Sequence, residues 1–86
     1  MSTPEITMYV KGTCPYCVAA QRLLKSKGVD WQEVSLLVEP QRRDEMIERS
    51  GRRTVPQIFI GETHVSGFDD LQALDREGQL DRLLGA

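Results

Sequence analysis

The two cysteines of this 86-residue chain stand three positions apart, in the run Gly12-Thr13-Cys14-Pro15-Tyr16-Cys17. The run lies where a strand-like pattern at residues 6–10 gives way to a helix-like pattern at residues 18–27. A bond between them would close a very small loop, which removes little chain entropy and staples a fold poorly. A structural disulfide is therefore the weaker reading, and a reactive or metal-binding pair the stronger. A C-x-x-C pair at a strand-to-helix junction is an arrangement suited to redox chemistry.

The same junction constrains the fold. Ile6, Met8 and Val10 alternate with Thr7, Tyr9 and Lys11, the period of a strand with one apolar face. Gly12 and Thr13 break the strand, and Pro15 suits the first helical position, where its missing N–H costs nothing. Ala20, Leu23 and Leu24 form a stripe at helical spacing, and Lys25, Lys27 and Gly28 form a C-terminal stop. A second strand is expected at residues 30–36, with Trp31 and Val34 among its apolar members. Strand, helix and strand in so short a span make a βαβ unit, which requires parallel pairing.

Glu39-Pro40 opens a second expected helix, residues 39–49, ended by Ser50-Gly51. Its few apolar residues, Met46 and Ile47, place it on the surface. Gln57–Ile60 and Thr63–Ser66, separated by Gly61-Glu62, read as a tight antiparallel hairpin, with Ile58, Phe59 and Ile60 as core residues. Residues 69–76 carry Leu71 and Leu74 towards the core, and Leu80, Leu83 and Leu84 form a last short helix. The expected class is α/β, a four-stranded mixed sheet (βαβ, then ββα) flanked by helices, in a single domain over residues 1–86.

Bulk properties exclude several function classes. A net charge of -2 gives no support for nucleic-acid binding, which needs a basic excess. No apolar run approaches the roughly 18 residues of a membrane span. Met1-Ser2-Thr3-Pro4-Glu5 has neither the basic nor the apolar region of a signal peptide. The expected compartment is the cytoplasm, where thiols stay reduced, and the expected state a monomer. A zinc site lacks a second cysteine pair, and the one histidine, His64, is expected to be an ordinary surface residue of the hairpin. Arg42, Arg49 and Arg52 are read as a solvated basic face, while Arg53, beside Thr54-Val55-Pro56, stays open between that and a site role.

With Pro15 as the first helical residue, Cys14 is the N-cap. Its sulfur then occupies the position where a side chain meets the free N–H groups of Tyr16 or Cys17. The helix dipole favours negative charge there, and Lys11 can add a nearby cation. Cysteines so placed have pKa values of about 3.5 to 7.5. Cys17, one turn in and more covered, is expected to stay a thiol. Cys14 is thus the expected nucleophile and Cys17 the resolving thiol.

The sequence resembles the glutaredoxins, a family with the thioredoxin fold, over residues 6–84. The resemblance rests on Lys11-Gly12-Thr13-Cys14-Pro15-Tyr16-Cys17, Arg53-Thr54-Val55-Pro56, Ile58-Phe59-Ile60 and Ser66-Gly67-Phe68-Asp69-Asp70. Cys-Pro-Tyr-Cys is similar to the dithiol branch of the family. Ser66 is a departure, since the family usually has a second glycine there, and it should slightly alter the exit of the hairpin.

The resemblance implies a glutathione-dependent thiol–disulfide oxidoreductase acting on glutathionylated or disulfide-containing proteins. It implies glutathione as co-substrate, with no metal expected. It also implies a cis Val55-Pro56 bond in the Thr54-Val55-Pro56 turn, leaving the Val55 backbone to pair with the glutathione cysteine. The helix start at Gly67-Phe68-Asp69 offers N–H groups to the γ-glutamyl carboxylate, and Asp69 can accept from the α-ammonium. Lys11 and Arg43 can reach the glycyl carboxylate, and Tyr16 flanks the sulfur channel. Two alternatives stay open: a redoxin recharged by thioredoxin reductase, and a carrier whose protomers share an iron–sulfur cluster through Cys14 and glutathione.

Overall fold

The structure is a computed structural model that describes residues 4–85. In chain order the elements are β1 (Ile6–Val10), α1 (Pro15–Ser26), β2 (Gln32–Ser35), α2 (Arg43–Ser50), β3 (Gln57–Ile60), β4 (Thr63–Ser66), α3 (Gly67–Arg76) and α4 (Gln79–Leu83). The strands form one sheet in the order β2-β1-β3-β4. β1 pairs parallel with β2, Thr7 facing Gln32, and antiparallel with β3, Thr7 facing Phe59. The Gly61-Glu62 turn joins β3 to β4, with Ile60 opposite Thr63. This is the expected mixed sheet, built from a βαβ unit and a hairpin.

Some element boundaries differ from expectation. β2 is shorter than residues 30–36, and Trp31 lies just before it. The segment after Glu39-Pro40 begins as a 3-10 turn, Pro40–Arg42, before the α-helical ladder starts at Arg43. A proline opening is compatible with both, because it supplies only a fixed φ and a missing donor.

The larger difference is that β1 has no solvent face. Ile6, Met8 and Val10 join Ile58, Ile60, Ala20, Leu24, Leu71 and Leu80 on one side of the sheet. Tyr9, expected on the polar side of the strand, is fully buried on the other with Val34, Leu36, Met46 and Phe59. A central strand covered on both faces buries both sets of side chains. The cover on the second face is α2, which is polar except for a few residues yet seals the sheet with one fully buried side chain, Met46.

The basic face of α2 is correspondingly engaged. The Arg49 guanidinium lies 4.1 Å from the Phe59 ring centroid and donates to the Tyr9 hydroxyl at 3.0 Å. The Tyr9 hydroxyl donates in turn to the Glu45 carboxylate. Arg42 bridges Glu45 at 2.9 Å and Glu39 at 3.4 Å. The expectation of a merely solvated face is corrected for Arg42 and Arg49. A buried tyrosine needs partners for its hydroxyl, and α2 supplies them. On the opposite side, Lys27 at the end of α1 bridges Asp75 at 2.6 Å and Asp81 at 3.0 Å, tying α1 to the C-terminal helices. Among the described residues, no helix is long and apolar enough to cross a membrane.

Candidate active site

The redox turn leaves β1 through Gly12, whose φ of +61° is a left-handed value that L side chains adopt at a cost. A Cβ there would also stand 3.1 Å from the Leu37 Cδ1. Cys14 follows as the N-cap of α1, with φ -54° and ψ 126°, and Pro15 opens the helix as its sequence position implies. Cys14 is half-buried, Cys17 is buried one turn in, and both are free thiols.

The two thiols are electrostatically unequal. No side-chain hydrogen bond of strict cap geometry closes on this turn. The Cys17 backbone N–H, and to a lesser degree that of Tyr16, nevertheless faces the Cys14 sulfur and holds its pKa below the ordinary thiol value, against a smaller opposing effect of burial. The Cys17 side chain adds a further donor. Cys17 is pushed up to about 11, mainly by burial, with the adjacent Cys14 adding to the rise. Lys11 acts differently from expectation: its backbone N–H meets the Cys17 sulfur, and its ammonium is not among the groups that lower Cys14. The side chain is exposed, where water screens it.

One groove, about 280 Å³ in volume, lies beside this turn. Tyr16 from α1 forms one wall, Val55 and Pro56 another, and Gly67, Phe68 and Asp69 at the start of α3 the rest. The Val55-Pro56 peptide is cis. Six of the expected glutathione-contact residues thus share one concavity. Lys11, Arg43 and Thr54 do not line it, and each is exposed.

Ser66 and Asp70 also line the groove, although neither was assigned a contact from sequence. The signal for Asp70 was its place in Gly67-Phe68-Asp69-Asp70. Ser66 has φ -93° and ψ 100°, an ordinary extended conformation that any residue can hold. The glycine requirement falls one position later, on Gly67 at φ +87°. That is why the hairpin exit tolerates a serine at 66. α3 consequently starts at Gly67, two residues earlier than expected, and Asp69 and Asp70 lie in its first turn, where acidic groups favour the helix dipole. No group of three His, Cys, Asp or Glu side chains among the described residues is arranged to hold a metal ion.

A dithiol at a helix N-terminus, a cis-proline turn and a β2-β1-β3-β4 sheet define a thiol–disulfide redox protein of the thioredoxin fold. The glutaredoxin family profile matches residues 6–65. The chain is 56% identical to glutaredoxin 3 of Escherichia coli K12 over 80 residues, covering 93% of this chain and 96% of that protein. The structure matches the solution structure of Brucella melitensis glutaredoxin with a TM-score of 0.83 and 50% identity, covering 98% of this chain and 91% of that one. It matches the crystal structure of a buckwheat glutaredoxin–glutathione complex with a TM-score of 0.87 and 28% identity, covering 95% of this chain and 77% of that one. The chain belongs to the glutaredoxin family, and its role is that of a thiol–disulfide oxidoreductase.

Proposed function

We propose that the reductant and co-substrate is glutathione, and that the reaction is carried by Cys14. In the first step the Cys14 thiolate attacks the glutathionyl sulfur of a mixed disulfide. A Cys14–glutathione disulfide forms and the substrate sulfur leaves as a thiolate, which takes a proton from water. A second glutathione, as thiolate, then attacks the glutathione sulfur of that intermediate, giving glutathione disulfide and restoring the Cys14 thiolate. With a protein disulfide, Cys14 attacks first. Cys17 then loses its proton and displaces the substrate, and two glutathione molecules reduce the resulting Cys14–Cys17 bond.

The observation that carries this reading is the groove in which Tyr16, Val55, Pro56, Gly67, Phe68 and Asp69 converge beside the redox turn. The backbone of Val55 is available to the glutathione cysteine as an added strand would be. Free N–H groups at the start of α3 suit the γ-glutamyl carboxylate, and Asp69 suits its ammonium. The buckwheat relative's complex with glutathione supports the same ligand class. Lys11, Arg43 and Thr54 lie outside the groove and act, in this reading, on the exposed glycyl end of the tripeptide. The protein works as a single-domain cytoplasmic monomer on glutathionylated or disulfide-bonded proteins.

The unequal thiols suit the chemistry. A lowered pKa raises the thiolate fraction of a thiol at pH 7. A Brønsted slope of about 0.4 to 0.5 offsets much of that gain by lowering its nucleophilicity. The remaining advantage is as a leaving group, because a low-pKa sulfur departs faster. Cys14 must be released from glutathione in every cycle, so it is the sulfur that benefits.

Replacing Cys17 with Ser and Cys14 with Ser, and assaying both on a glutathionylated peptide with glutathione as reductant, tests the scheme. The Cys17→Ser protein is expected to retain turnover and the Cys14→Ser protein to lose it. Equal loss in both would rule out the one-thiol route, and no glutathione-driven turnover by the unaltered protein would rule out glutathione.

A further inference from the structure

The Thr54-Val55-Pro56 turn, on which the groove depends, is held almost entirely by side chains. Among the described residues, no backbone–backbone hydrogen bond outside the helices and strands involves residues 52–56. At the start of the segment the Ser50 hydroxyl accepts from the Arg52 N–H at 3.0 Å. At its end the Gln57 amide donates to the Thr54 carbonyl at 2.9 Å and approaches the Thr54 hydroxyl at 3.3 Å. Gln57 is fully buried, on the first residue of β3. A buried primary amide is costly unless its oxygen and nitrogen are both satisfied.

The oxygen is satisfied by His64. Gln57 pairs with Ser66 and Phe59 with His64 across the hairpin, so His64 lies diagonal to Gln57 on the same face of the sheet. Its Nε2 is 2.7 Å from the Gln57 Oε1, and its ring stacks on Phe59 with centroids 4.9 Å apart and planes 20° apart. The chemistry of Thr54 fixes the direction of this chain. A carbonyl only accepts, so the amide nitrogen must face Thr54 and the amide oxygen must face the histidine. An amide oxygen also only accepts, so His64 carries its proton on Nε2 and donates. His64 is exposed, as expected of a hairpin surface residue, yet its ring is held against the sheet by Gln57 and Phe59.

We propose that Gln57 and His64 are positioning residues for glutathione recognition, a relay from the hairpin through a buried amide that sets the orientation of the Thr54-Val55-Pro56 turn. Neither touches the reacting sulfur. They act through the turn whose Val55 and Pro56 line the groove, so their influence falls on binding of the glutathionyl group. Attack by Cys14, governed by the start of α1, is independent of them. This inference rests on glutathione being the co-substrate.

The test compares Gln57→Met, which keeps volume but removes both hydrogen bonds, with His64→Phe and His64→Gln. His64→Phe keeps the stack on Phe59 and loses the donor, whereas His64→Gln keeps a donor. Steady-state kinetics with a glutathionylated peptide are read alongside the rate of Cys14 alkylation. Loss of a hydrogen bond to a buried group predicts a rise in KM of about five- to tenfold for Gln57→Met and His64→Phe. The expected kcat and alkylation rate stay within about twofold of the parent, and His64→Gln restores most of the KM. An unchanged KM in His64→Phe overturns the relay, as does a fall in kcat and in alkylation accompanying the rise in KM, which marks a residue that only holds the fold. His64→Phe and His64→Gln decide the matter even where Gln57→Met does not fold. Absence of glutathione turnover in the unaltered protein is a different result, and defeats the co-substrate reading instead.

Discussion

Selective alkylation is the most direct measure of the inequality between the two thiols. Cys17 is pushed up to about 11 by burial, which leaves only about one thiolate in 10⁴ at pH 7. Cys14 is lowered from an ordinary value of 9.0, at which a thiol is about 1% thiolate at that pH. The thiolate ratio between the two is therefore at least about 100. The more basic Cys17 thiolate is the better nucleophile, and the Brønsted slope returns about a factor of 8 over the difference. Cys14 should then be alkylated at least about 12 times faster than Cys17 at pH 7. The burial of Cys17 widens the gap further. The assay is a short pulse of iodoacetamide on the reduced protein from pH 4 to pH 10, quenched and resolved by peptide mass spectrometry. A Cys14 midpoint at or above about 8.5 would refute the helix-start explanation of its reactivity. So would comparable rates at the two positions.

Met46 is the one fully buried residue of α2, and the Tyr9–Phe59 side of the sheet depends on it. Met46→Ala should cost about 2 to 5 kcal/mol, read from urea unfolding. A loss below about 1 kcal/mol would contradict the sealing role of α2. His64 is lowered from its usual value by burial, then by Arg52, with Asp70 opposing. The unfolded chain, titrating near 6.5, then binds a proton more readily than the folded one. Stability should be fully present above about pH 6.5 and should fall as pH drops from there through the folded value. His64→Gln should flatten that segment of the profile relative to the parent, as measured by urea midpoints at several pH values. An identical slope in both proteins would exclude the histidine as its source.

Local chemistry made much of this protein legible from its residues. Cys14 and Pro15 had to be an N-cap and a first helical residue, because a proline lacks the donor that an interior position needs. Gly61-Glu62 had to be a tight turn between two alternating runs. These features depend on neighbours within a few residues, so a linear pattern carries them. Tyr16, Val55, Pro56, Gly67, Phe68 and Asp69 come from separate stretches of the sequence and share the groove. Lys11 lies outside it, with its backbone N–H at the Cys17 sulfur and its side chain exposed.

Tertiary packing decided what no local pattern could. Alternation at Ile6, Thr7, Met8 and Tyr9 separates two faces of a strand, but it cannot tell whether a second layer covers the polar-looking one. Tyr9 is buried because α2 comes back over the sheet, bringing Met46 into the gap and Glu45 and Arg49 to the tyrosine hydroxyl. Arg49 and His64 are exposed, but their contacts to Phe59 and Gln57 are not legible from sequence because those partners are remote or visible only through strand register. The Cys-Pro-Tyr-Cys turn therefore follows from its own residues. The groove beside it does not, because its walls come from α1, the residue 54–56 turn and the start of α3, and only the folded sheet brings those three together.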